Sequence, residues 1–205
     1  MLCMASPLVQ AAKSEWSVAA GPSMHLTNHG CDWLAPDCSG SVAYAGPAFG
    51  GVGEVTYGIG HDWDVGLRLH SFYQEVLFLD QTLAEGSSVF NGDQRHGSLF
   101  VGVEAVVNYT LLGGYALAPV LTAGAGVEVE HVNDPVLIAG NGAVIKDDIA
   151  SYFSVRPTAT LGLDVHYRFW DDFAVILGAR YHVTFVSELK RSSFTFPLIL
   201  RYGWY

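Results

Sequence analysis

Residues 173–186 read FAVILGARYHVTFV, and the alternation within that stretch decides the fold. Every second residue belongs to one set: Phe173, Val175, Leu177, Ala179, Tyr181, Val183 and Phe185. The other set is Ala174, Ile176, Gly178, Arg180, His182 and Thr184. A β-strand sends successive side chains to opposite faces, so a period of two sets a continuous apolar face against one that carries charge. The segment before it repeats the pattern. Phe153, Val155, Ala159, Leu161, Leu163, Val165 and Tyr167 share one face; Ser154, Arg156, Thr158, Thr160, Asp164, His166 and Arg168 share the other.

Which face is inside depends on the solvent, and the composition bears on that. Half of the 205 residues are hydrophobic and only 15% are charged, against about a quarter in ordinary soluble domains. Mean hydropathy is positive at +0.28, yet no stretch approaches the ~20 consecutive apolar residues a membrane-spanning helix needs. In lipid every backbone polar group must be satisfied internally, which leaves helices and closed barrels as the spanning structures. The charged face therefore points into a lumen and the apolar face toward lipid. The expected fold is all-β: an eight-stranded antiparallel up-and-down transmembrane β-barrel. A soluble sandwich or lipocalin-like barrel is the alternative.

The same alternation places strands near 14–26, 42–58, 63–79, 97–111, 115–130, 150–168, 173–187 and 193–205. Connections at 59–62, 112–114 and 170–172 are tight, with Gly or Asp supplying the turn. Those at 27–41, 80–96 and 131–149 read as long polar loops, and 188–192 as a short one. Short turns alternating with longer loops match periplasmic turns and extracellular loops, and an even strand count returns the chain to its starting side. Trp16, Tyr57, Trp63, Tyr109, Tyr115, Tyr167, Tyr202 and Trp204, with Phe169 and Phe173, cluster near the short-turn ends. Amphipathic rings prefer headgroup depth, so this set is expected to form an interfacial girdle. A thinner ring of Tyr73, Phe153, Phe185 and Phe194 is expected at the other level.

Units such as YGIGHDWDVGLRL (57–69) and LGLDVHYRFWDDFAVILGARYH (161–182), with the aromatic last strand FTFPLILRYGWY (194–205), resemble the small bacterial outer-membrane β-barrel superfamily. That group contains the OmpA-like, opacity and attachment-invasion proteins. The resemblance spans the mature chain and is one of architecture. It implies residence in the outer membrane, contact with outer-membrane lipid and lipopolysaccharide, and handling by the outer-membrane assembly machinery. One departure concerns the terminal assembly signal: the third-last position is Gly203, where the family carries an aromatic.

Residues 1–11 read as the tail of a secretory signal, because Val9-Gln10-Ala11 fits a small-x-Ala cleavage pattern. The barrel domain is then 12–205. Cys31 and Cys38, in HGCDWLAPDCSG (29–40), are expected to form a disulfide in an oxidising compartment. With His25 and His29 they match no usual zinc spacing, so no metal is expected there. The net charge of −10 excludes nucleic acid as a partner. A monomer without a cofactor is expected, with any surface ligand left open.

The even and odd registers send Glu15, Glu54, Asp64, Arg68, Glu104, Glu128, Glu130, Arg156, Asp164, Arg168, Arg180 and Arg201 into the lumen. Eight strands enclose a space only wide enough for side chains, and a lone buried ion costs several kcal/mol. A salt-bridged plug is expected, with a gated polar channel as the alternative. The sharpest expectation is local: the turn at 59–62 sets Glu54 opposite Arg68. No catalytic residues stand out. His70 and Ser71 face opposite sides, His182 shares a face with Thr184 only, and His166 and Asp164 have no serine nearby. The reading is a non-enzymatic integral barrel with exposed loops, serving envelope integrity or surface interaction. Passage of small or apolar solutes is the second reading, and lipid A modification the third.

Overall fold

The structure is a computed structural model and describes residues 16–29, 43–60, 62–85, 88–111, 115–147, 149–185 and 191–204. Its strands are β1 (Trp16–His29), β2 (Ala43–Ala45), β3 (Ala48–Gly58), β4 (Trp63–Glu85) and β5 (Ser88–Thr110). They continue as β6 (Leu117–Ile138), β7 (Val144–Lys146), β8 (Tyr152–Arg168), β9 (Phe173–Thr184) and β10 (Arg191–Trp204). Eight of them close a ring in the order β1-β3-β4-β5-β6-β8-β9-β10, every neighbour antiparallel, and β10 pairs back onto β1. Short β2 adds to β4 and short β7 to β6. Closure removes the open edges that lipid could not satisfy.

The faces follow the alternation read from the sequence. Along β5, residues 96–108 alternate strictly between buried even and half-buried or exposed odd positions. Val18, Val55, Leu67, Leu69, Val103, Leu121, Leu161, Leu163, Leu177, Leu198 and Leu200 are all exposed and form an apolar outer belt. A soluble barrel would expose its charged face instead. The β1–β10 seam is the ladder's weak place: pairing runs to Ala20↔Leu200, resumes at Ser23↔Pro197, and skips the positions of Gly21 and Pro22. Both prolines lack the N–H that a ladder bond needs.

Four strand boundaries correct the sequence reading, the first being β1, which runs to His29, three residues into the 27–41 stretch expected as a loop. The 80–96 stretch, expected as a loop, is the continuation of β4 and β5, paired as far as Glu85↔Ser88. The 131–149 stretch is partly strand too: β6 runs to Ile138 and β7 pairs with its end. Arg191, assigned to a short loop at 188–192, begins β10 opposite Thr184. The common reason is that alternation of polarity reports lipid on one side, whereas hydrogen-bonded ladders continue past the lipid where both faces are wet. At 23 residues each, β4 and β5 extend roughly 75 Å at about 3.3 Å per residue, against the roughly 9–11 residues a tilted strand needs to cross. A bulge between Phe78 and Gln81 interrupts this ladder, with Asp80 at φ 52° and its N–H donating to Asp93 Oδ1 at 3.1 Å. The extra residue bends and twists the hairpin.

Candidate functional site

The lumen is filled in layers, beginning near the short turns. Arg201 meets Asp64 at 3.2 Å and Ser17 Oγ lies 2.7 Å from Thr56 Oγ1. Above them Ala19, Val52, Ile176 and Ile199 form a small apolar cluster on the β1–β10 side.

The central layer is built around Arg68. Its Nε donates to Glu54 Oε2 at 3.0 Å, Nη1 to Glu104 Oε2 at 3.4 Å, and Nη2 to Thr122 Oγ1 at 2.8 Å. Glu54 also accepts from Asn108 Nδ2 at 2.8 Å. Arg180 grips the Asp164 carboxylate through two nitrogens at 2.7–3.2 Å and lies 3.8 Å from Glu54. Large charged groups fit because small residues face them: a Cβ at Gly178 would fall on the Asp164 carboxylate, and one at Gly102 on the His70 ring. These glycines serve as room for the network rather than as turns.

The next layer gathers residues from six strands, β4, β5, β6, β8, β9 and β10. Arg191 pairs with Glu128, while Glu128 Oε2 lies 3.4 Å from His70 Nε2 and 3.6 Å from His182 Nε2. His182 Nδ1 is 2.9 Å from Thr160 Oγ1 and 3.2 Å from Glu104 Oε1, and Thr160 donates to Glu104 Oε1 at 2.5 Å. Toward the long-strand end, Glu130 accepts from Ser98 at 3.1 Å and pairs with Arg156 at 2.9 Å. Phe72 and Phe100 stack at 4.6 Å, with the Arg191 guanidinium 4.1 Å above the Phe100 ring. Between His25, Arg68, His70, Glu104 and His182 remains a cavity of about 20 Å³, room for one water.

Each lumenal charge named from the sequence and described by the structure is thus in a pair or network, apart from Arg168, which is exposed at the strand end. Glu54 and Arg68 are register partners. Sequence reading missed Arg191, hidden in an apparent loop, and the convergence of His70, Glu128 and His182. These three lie on β4, β6 and β9, too far apart in sequence for any spacing motif to mark them.

In the girdle, Trp16, Trp63, Tyr115, Tyr167 and Tyr202 are exposed at the short-turn end. Tyr57 and Tyr109 are half-buried because they pack against Trp16 and Trp63, at ring distances of 4.9 and 4.6 Å. The Trp204 backbone pairs with Trp16, and its side chain lies outside what the structure describes. Tyr73, Phe153 and Phe185 are exposed at the other level, while Phe194 is half-buried against Tyr181 at 5.2 Å. Cys31, Cys38, Glu15 and the segment 1–11 lie outside the described residues.

One serine–histidine contact escaped the sequence reading: Ser23 Oγ is 2.9 Å from His25 Nε2. The two are i and i+2 on one face of β1, a spacing that could have revealed it. The other ring nitrogen meets Thr195 Oγ1 at 3.1 Å where a triad would place a carboxylate, and the ring stacks on Phe72 at 4.1 Å. Ser23 and His25 are buried in the lumen, away from the lipid-facing surface where a lipid substrate would lie.

No family model matches the chain, and no curated protein matches it. Solved structures do. Neisserial surface protein A is similar at 12% identity and a TM-score of 0.55, over 91% of this chain and 96% of that one. The outer membrane protein OprG of Pseudomonas aeruginosa gives 13% and 0.53, over 94% and 96%. The attachment invasion locus protein Ail of Yersinia pestis, in complex with the heparin analogue sucrose octasulfate, gives 12% and 0.50, over 94% and 100%. Identities this low speak to the fold, which is that of the small eight-stranded β-barrels of the bacterial outer membrane.

Proposed function

We propose that this protein is a non-enzymatic, monomeric outer-membrane barrel that acts through its long-strand end, which faces the cell exterior and serves surface interaction. The observation that carries the reading is the β4–β5 hairpin, whose paired ladder continues far past the apolar belt as a projection of mixed polar and apolar residues. A lumen filled by buried ion pairs, among them Arg180 to Glu54 and Arg191 to Glu128 between non-adjacent strands, favours this over conduction, because opening a path would separate charges buried against one another. Short turns bearing the denser aromatic girdle lie on the periplasmic side in this reading, with lipid and lipopolysaccharide around the belt. Ail was solved with a polyanionic heparin analogue; a net charge of −10 gives this chain no comparable pull on a polyanion.

Single cysteines placed at Asn91 or Val89, both exposed, should react with an impermeant reagent on intact cells, and one placed at Asp171 should not. The purified barrel in planar bilayers should give no conductance steps. Regular steps would favour the channel reading, and a changed lipid A mass in cells lacking the gene would favour the enzyme.

A further inference from the structure

Glu128, His70 and His182 offer one oxygen and two imidazole nitrogens to a single point inside the barrel, all within 4.8 Å of one another and all buried. We propose that this point is a binding site for one divalent transition-metal ion of zinc-like preference, tying β4, β6 and β9 together across the lumen.

Three independent observations carry it. The first is hydrogen-bond bookkeeping at His182. Thr160 gives its proton to Glu104, so the nitrogen facing both of them, Nδ1, must carry its own hydrogen to donate. In the neutral ring that leaves Nε2 as a bare lone pair, and it is buried without a hydrogen-bond partner. It faces the oxygen of Glu128, another acceptor, at 3.6 Å. Two acceptors held face to face in a dry interior need a positive charge between them, which a second proton on the ring or a metal ion supplies. The arrangement on the far side of the ring, carboxylate to imidazole to metal, is the usual second shell that fixes a ligating histidine's tautomer.

The second observation is distance. Two ligand atoms bound tetrahedrally at about 2.0–2.1 Å from zinc lie roughly 3.3–3.4 Å apart. Glu128 Oε2 stands 3.4 Å from His70 Nε2 and 3.6 Å from His182 Nε2, close to that edge before any adjustment. A two-histidine, one-glutamate set is a zinc-type donor set. The cavity of about 20 Å³ that touches both histidines has room for a water as fourth ligand.

The third is charge. Among the described residues, the lumen holds six paired carboxylates (Glu54, Asp64, Glu104, Glu128, Glu130, Asp164) and five arginines (Arg68, Arg156, Arg180, Arg191, Arg201). One negative charge is left over with the histidines neutral. Arg191 engages Glu128 through Oε1 and leaves Oε2 to the histidines, so the arginine and the ion share the carboxylate rather than compete for one atom.

The test uses tag-free full-length protein, stripped with chelator and folded into detergent micelles, with zinc chloride supplied either during folding or afterwards. After gel filtration, elemental mass spectrometry should find about one zinc per barrel in at least one of the two preparations. Cobalt(II) in place of zinc should give the intense visible absorption of a four-coordinate N/O site. H70Q and H182Q should each weaken binding at least tenfold while keeping the heat-modifiable gel shift of a folded barrel, and H131Q, on the outer face, should bind as wild type. T160V should weaken zinc binding with its stoichiometry unchanged, since Thr160 only orients His182. Zinc well below one per barrel in both preparations would overturn the proposal. So would zinc retained undiminished by H182Q, which would mean adventitious binding elsewhere. Should the glutamine variants fail to fold, the wild-type cobalt spectrum decides: weak six-coordinate absorption counts against the site.

Discussion

The β4 strand takes part in two arginine–glutamate pairs of nearly equal geometry and opposite circumstance. Arg68 and Glu54 meet at 3.0 Å with side chains 2% and 8% exposed; Arg95 and Glu75 meet at 2.9 Å with side chains 58% and 62% exposed. Distance alone would rank them together. Burial separates them, because in the lumen each charge has surrendered its water and depends on its partner, whereas on the extension water solvates both ions whether or not they touch. The lower pair also belongs to a network that takes in Glu104 on the neighbouring strand β5 and reaches Thr122 on β6. A pair's weight therefore depends on which part of the strand carries it.

The largest expected effect comes from removing the cation at the centre. Arg68→Leu leaves Glu54 and Glu104 without their shared partner and should lower unfolding free energy by about 3–5 kcal/mol, the range for breaking a buried pair. Urea titration in lipid vesicles, followed by tryptophan fluorescence, reads this directly. A loss under about 1 kcal/mol would erase the contrast with the surface pair.

Apolar replacement of the pair sharpens the comparison. Glu54→Leu with Arg68→Met should recover only part of the loss, because Glu104 still lacks its guanidinium. Adding Glu104→Leu should recover more, since replacing a whole buried ionic cluster by apolar groups is often neutral or better. If the double variant were already as stable as wild type, Glu104 would be independent of Arg68.

At the girdle, Trp63→Ala should cost about 0.5–1.5 kcal/mol beyond the lost area, from its ring contact with Tyr109. The same vesicle titration measures it, and the cost should vanish in a Tyr109→Ala background. The smallest effect belongs to the extension. Arg95→Ala should change stability by no more than about 1 kcal/mol, and added salt should shrink even that. A large, salt-insensitive loss there would mean the extension is packed rather than solvated.

Much of this molecule is legible in its amino-acid sequence. Strict alternation in 173–186 assigns Arg180 and His182 to one face and Leu177 and Tyr181 to the other, and hydropathy without a spanning helix turns the charged face inward. The Glu54–Arg68 pairing followed from a four-residue turn, since antiparallel register is a local matter. Alternation loses its meaning past Phe78, where Asp80 and Thr82 on the lumen-side parity are exposed, and so the projecting hairpin reads as a loop in the sequence.

The amino-acid sequence by itself determined the strands within the apolar belt, their inward and outward faces, and the pairs made across one turn, because a period of two acts between neighbours. Only the tertiary structure decided that Arg68 reaches Thr122, that Arg191 is buried on Glu128, and that His70 and His182 converge on the same carboxylate. Those contacts join strands that are not adjacent in the ring. Their heights depend on the tilt and stagger with which eight strands close, a property of the whole sheet that no single segment carries.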